Sequence, residues 1–110
     1  MSTLPHIAKT QLAKFPEVTA FVVTDEAGSL LESSGDIDAE TLGAVHVVMM
    51  QALKRCGNAL GLGQLQRITV TGPHRACLIT PYEQEVLGVY TDPTKPLSAF
   101  EKKLETVLKR

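Results

Sequence analysis

The sequence predicts a mixed α/β (α+β) domain with elements in the order α-β-β-α-β-β-β-α around a mostly antiparallel five-stranded sheet. Three observations carry that prediction. Runs rich in β-branched and aromatic residues, such as EVTAFVVT (17–24) and EVLGVYT (85–91), read as strands. Short Asp-, Gly- and Pro-containing turns join neighbouring strands, which antiparallel pairing permits and parallel pairing does not. One long helical pattern over residues 39–60 separates the first two strands from the last three.

Residues 4–15 place Leu4, Ile7, Ala8, Leu12 and Phe15 at helical spacing, and Pro5 suits a first turn whose missing N–H costs nothing. Pro16 ends the pattern by pushing Phe15 towards extended geometry. In the first strand the consecutive apolar residues Phe21, Val22 and Val23 imply cover on both faces. Asp25-Glu26-Ala27-Gly28 reads as a turn with Gly28 at positive φ, and residues 29–33 return as the second strand.

The long helix starts at Asp38, a capping residue, with Glu40 in its first turn where the helix dipole favours negative charge. Gly61 and Gly63 suit a left-handed end. At about 100° per residue, Leu42, Val45, Met49, Ala52, Leu53, Cys56 and Leu60 share one face, read as the core stripe. The opposite side carries Gly43, Ala44, Val47 and Met50 instead of charges. A helix apolar nearly all round is buried nearly all round, and 110 residues do not easily cover it twice. Ala39, Gly43 and Ala44 would let another backbone approach closely. That second face is therefore expected to be a self-association surface, the alternative being cover by the N- or C-terminal helix, and a large residue in place of Gly43 is expected to break the dimer.

Residues 64–71 form the third expected strand and 75–80 the fourth, joined by Gly72-Pro73-His74. Pro81-Tyr82-Glu83-Gln84 connects to the fifth, 85–91, which Asp92-Pro93 ends. Residues 96–110 form a closing amphipathic helix with Leu97, Phe100, Leu104, Val107 and Leu108 on its inner face.

A length of 110 residues suits one domain, 1–110. A net charge of -1 lacks the basic field of a nucleic-acid binder, and no apolar run is long enough to span a bilayer, so neither nucleic acid nor membrane insertion is expected. The opening MSTLPHIAKT has neither a basic nor a long apolar region of the secretory kind, which makes the cytoplasm the expected compartment. Cys56 and Cys77 are then expected as buried thiols, not a disulfide.

Residues that could carry chemistry have simpler readings. Gly61-Leu62-Gly63 follows a helix and opens a strand, the reverse of a phosphate-binding loop. His6, His46 and His74 share no metal-ligand spacing with each other or with the cysteines, and His46 reads as a packed or interface residue. Asp36 and Asp38 could share a cation only with further acidic ligands, so capping is the role of Asp38. No catalytic, cofactor-binding or metal set is identified, and the chain is read as not an enzyme.

Three stretches together resemble the Roadblock (dynein light-chain) family, whose fold is related to longin and profilin-like domains. They are FVVTDEAGSLLES (21–33), the helix end and strand entry Leu60-Gly61-Leu62-Gly63-Gln64-Leu65, and the meander from Ile68 to Val89. The resemblance extends over residues 4–108. It implies a five-stranded antiparallel sheet with the long helix on one face and the terminal helices on the other. It also implies pairing through the long helix and the third-strand edge, as a homodimer or a heterodimer with a paralogue. Ala39, Gly43, Val47 and Met50 would lie in the helix contact, and Arg67, Ile68, Thr69 and Val70 along the strand edge. The expected function is a non-enzymatic scaffold that binds a Ras-like small GTPase and modulates its hydrolysis, with Arg67 and Arg75 as the basic strand residues to test. A small-ligand sensor with a cavity lined by Met49, Met50 and Cys56 is the alternative, as is a structural scaffold in a signalling or motor complex.

Overall fold

The computed structural model describes residues 4–92 and 97–108. The elements are α1 (Leu4–Thr10) with a 3-10 turn at Leu12–Lys14, β1 (Val18–Asp25), β2 (Leu30–Ser34), α2 (Ala39–Ala59), β3 (Ile68–Thr71), β4 (Ala76–Tyr82), β5 (Glu85–Thr91) and α3 (Leu97–Leu108). This is the expected order, in an antiparallel sheet arranged β2-β1-β5-β4-β3. Pro93, Pro96, Lys109 and Arg110, which the expected final strand end and closing helix touch, lie outside the described residues.

Alternation along the three central strands assigns each residue to one of two layers. Phe21 and Val23, Leu78, and Leu87 and Val89 face α1 and α3, where they pack with Leu4, Ala8, Leu12, Phe100, Leu104 and Leu108 in the larger core. Phe15 closes its margin with an edge-on contact to Phe100, ring centroids 6.0 Å apart. The other face meets α2 through a smaller cluster of Val47, Met50, Ile68, Ile79 and Val86. This second layer adds the buried polar side chains of Thr24 and His46 to its apolar cluster.

Local chemistry sets the connections. In the β1–β2 loop, Asp25 Oδ1 accepts from the amides of Ala27 and Ser29, both at 2.9 Å, and Gly28 has φ 90°. Asp38 Oδ1 accepts the Thr41 amide at 3.4 Å, the expected N-cap. At the far end, Leu62 N–H donates to the Gly57 carbonyl and Gly61 N–H to the Asn58 carbonyl, with Gly61 at φ 72°. That pair of bonds is a Schellman motif, which needs the left-handed residue that glycine supplies cheaply.

β3 is shorter than the sequence suggests. The expected strand began at Gln64, but pairing runs only from Ile68↔Ile79 to Thr71↔Ala76. Continuing the register would set Gln66 opposite Pro81, which has no N–H to give the ladder. Instead the Thr80 hydroxyl donates to the Gln66 carbonyl at 3.1 Å, and residues 64–67 run irregularly. The opening helix also divides, because after Gln11 donates to the Ile7 carbonyl the chain tightens into the 3-10 turn.

Candidate interaction surface

The helix α2 is apolar on two sides, as expected, but the structure exchanges the sides. Gly43, His46, Val47 and Met50 are the buried residues and face the sheet. The expected core stripe faces outward: Val45 is 45% exposed, Leu53 37% and Leu60 72%, and Val48, which the sequence reading places on neither face, joins them at 64%. Ala52 and Cys56 are exposed with them, while Leu42 and Met49 are half-buried. The physical reason lies in how closely α2 approaches β1. A Cβ on Gly43 would overlap Thr24 Cγ2 and stand 3.3 Å from Val22 Cγ1. The missing side chain thus admits this chain's own sheet, not a second copy, and Val47 and Met50 complete that same contact.

At the centre of the contact, His46 projects onto β5. Its imidazole covers Gly88, and its Nε2 lies 2.6 Å from the Tyr90 hydroxyl. Burial holds His46 down to about 4 from an ordinary 6.5, so the ring is neutral and Nε2 shares one hydrogen bond with the phenol. Tyr90 sits opposite Cys77 in the β4–β5 register and shares a hydrogen bond with its thiol. Burial pushes the thiol up to about 11, against a smaller opposing effect of the Tyr90 bond. Burial likewise raises the Tyr90 phenol, with Cys77 adding to the rise and Arg75 countering it. A thiol held so high carries almost no thiolate at neutral pH, so this trio is a polar pin between α2 and the sheet and not a nucleophilic centre. Both cysteines are free. Cys77 is half-buried, whereas Cys56, also expected inside, is exposed on the outer face of α2.

The third-strand residues form the other part of the surface. β3 pairs with β4 alone, leaving its outer edge open. Thr69 and Val70 are exposed there, Val70 at 48%, while Ile68 turns into the smaller core. Arg67 pairs with Glu105 at 3.0 Å and with Glu101 at 3.7 Å, both on α3. The Thr69 hydroxyl donates to Glu101 at 3.4 Å. The guanidinium of Arg67 is therefore already engaged, which disfavours it as a group offered to a partner's nucleotide. Between helix and edge, Leu53, Cys56, Leu60, Leu62, Leu65 and Ile68 line a groove of about 280 Å³. Leu62, 75% exposed, stands at its rim. The outer stripe of α2 and the β3 edge thus form one apolar surface. Ala39, in the first turn of α2, is half-buried.

Met49, Met50 and Cys56 do not converge on a single cavity. Met50 lines a pocket of about 160 Å³ under α2, and Cys56 belongs to the outer groove. Among the described residues, no three His, Cys, Asp or Glu side chains converge on a point where a metal could sit, and no helix is long and apolar enough to cross a membrane.

The sequence model of the Roadblock/LC7 domain matches residues 9–91. The chain belongs to the Roadblock/LC7 family. Solved structures of this fold include a Roadblock/LC7 domain from Streptomyces avermitilis, with TM-score 0.83 at 14% identity over 98% of this chain and 93% of that one. The gliding protein MglB from Thermus thermophilus superimposes with TM-score 0.79 at 15% identity, over 94% of this chain and 81% of MglB. Profilin from Schizosaccharomyces pombe is similar at TM-score 0.69 and 11% identity, over 98% of this chain and 95% of profilin. No curated protein sequence matches the chain. At these identities the likeness is one of fold.

Proposed function

We propose that this Roadblock/LC7 chain is a non-enzymatic regulatory scaffold that dimerises through the outer face of α2 and the β3 edge and binds a Ras-like small GTPase. The observation that carries the reading is the apolar stripe Val45, Val48, Leu53 and Leu60, exposed on the side of α2 opposite the sheet and continuous with an open strand edge. An exposed stripe of this kind marks an interaction surface, and an unpaired edge is a liability that pairing removes. Along the edge, the proposed contact takes in Arg67, Thr69 and Val70, with Ile68 behind them in the smaller core and Ala39 at the start of the helix. On the helix, the exposed residues replace Gly43, Val47 and Met50, which the sheet occupies. The partner copy is an identical chain or a paralogue, and the setting is the cytoplasm. The GTPase follows from family membership, and the fold shared with gliding protein MglB supports it.

The test captures partners on the immobilised chain from an extract of its source cells, once with GDP and once with a non-hydrolysable GTP analogue. A Ras-like GTPase enriched with the analogue is the expected result. A GTPase absent in both nucleotide states overturns the GTPase reading and leaves the dimer to be judged by mass in solution.

A further inference from the structure

A separate pocket of about 160 Å³ lies between α2 and the tips of the β1–β2 and β4–β5 hairpins. Its apolar wall is made by Val47, Met50 and Val86, all under 8% exposed and all part of the smaller core. Its lining includes the exposed acidic residues Glu26 from one hairpin and Glu83 from the other, with Glu85 buried behind them, against one basic residue, Lys54 of α2. Among the described residues, neither Glu26 nor Glu83 forms an ion pair, and neither does Lys54. The pocket is smaller than the roughly 300–1,000 Å³ of small-molecule sites, so it suits one side chain and not a nucleotide.

We propose that this pocket seats an arginine side chain of a protein partner. The aliphatic stem would lie along Met50, Val47 and Val86, and the guanidinium would reach the Glu26 and Glu83 carboxylates at the mouth. Arginine fits better than lysine because its planar fork can engage carboxylates arriving from two different hairpins, and it is more weakly hydrated. A protein partner fits better than a free amine because Gln51 and Lys54 of α2 and Glu83 of the β4–β5 hairpin, all exposed, extend the pocket rim into a surface that a protein can cover. A surface seated on that rim would bring an arginine to the pocket, the usual arrangement of a buried anchor within a polar rim. The inference does not depend on that partner being a GTPase.

Backbone-amide NMR of the full chain, titrated with N-acetyl-arginine amide, tests it without any partner protein. Saturable shifts are expected at Gln51, Lys54 and Val86, with affinity on the order of millimolar for a lone side chain. The capped citrulline analogue has the same shape without the charge and should produce none. The double variant Glu26→Gln/Glu83→Gln should bind at least about fivefold more weakly, and Lys54→Gln more tightly. Equal shifts with citrulline, unsaturable shifts, or unchanged affinity in the double variant would each overturn the assignment. The citrulline comparison uses the unaltered chain, so a folding defect in a variant does not blunt it. Because no GTPase enters the titration, its failure is distinct from failure of the capture experiment.

Discussion

The imidazole of His46 occupies the space that a side chain at Gly88 would need. The two residues lie on different elements, α2 and β5, and their fit fixes how the helix sits on the sheet. The Tyr90 hydroxyl, two residues along β5 on the same face, then holds the ring at Nε2. This is a shape contact backed by one hydrogen bond, and four consequences of the packing around it can be measured.

Gly88→Ala should force the His46 ring away from β5 and lose the Tyr90 bond. Overpacking of this kind costs about 1–3 kcal/mol. Chemical denaturation should show a lower midpoint with an unchanged slope, and a midpoint equal to that of the parent would show that the ring moves freely.

Gly43→Val and Val48→Asp should separate folding from self-association. Gly43 touches Thr24 and Val22 of its own chain, so the larger residue should destabilise the fold by about 1–3 kcal/mol. Val48 is 64% exposed, so the aspartate should leave thermal stability nearly intact while lowering the mass in solution from dimer to monomer. A dimer that persists in Val48→Asp would remove the outer stripe from the interface.

His46 should make stability pH-dependent. Its folded value, about 4, lies below the ordinary 6.5, so between those limits the unfolded chain binds a proton that the folded chain does not. Stability from this group is present above about pH 6.5 and is lost as the pH falls towards 4, with a limiting slope of about 1.4 kcal/mol per pH unit. Denaturation midpoints collected across that window should flatten in His46→Gln, and an unchanged profile would assign the dependence to other groups.

Thr24→Val should stabilise the protein. The Thr24 hydroxyl is buried with no hydrogen-bond partner among the described residues. A desolvated, unsatisfied hydroxyl costs about 1–3 kcal/mol, and valine has nearly the same shape. A gain of about 1 kcal/mol in unfolding free energy is expected, and a loss would mean that the hydroxyl bonds to water or to a shifted neighbour.

Much of the architecture was legible because it depends on neighbours in sequence. Asp38 caps α2, Asp25 closes the first hairpin and Gly61 turns the helix end, each through bonds spanning five residues or fewer. The end of β3 was not legible, since it depends on Pro81 lying across the ladder from Gln66, 15 residues later.

By itself the sequence determined that α2 is apolar on two opposite sides, because periodicity fixes the angles between side chains on one helix. Only the tertiary structure decided which side the sheet takes. Periodicity carries no information about absolute direction, and the more hydrophobic stripe, Val45 to Leu60, was the natural choice for the core. The sheet selected the other side because close approach there is sterically possible: Gly43 clears Thr24, and Gly88 leaves room for His46. Those complementary gaps lie 45 residues apart in the chain and become a pair only when β5 passes beneath the helix.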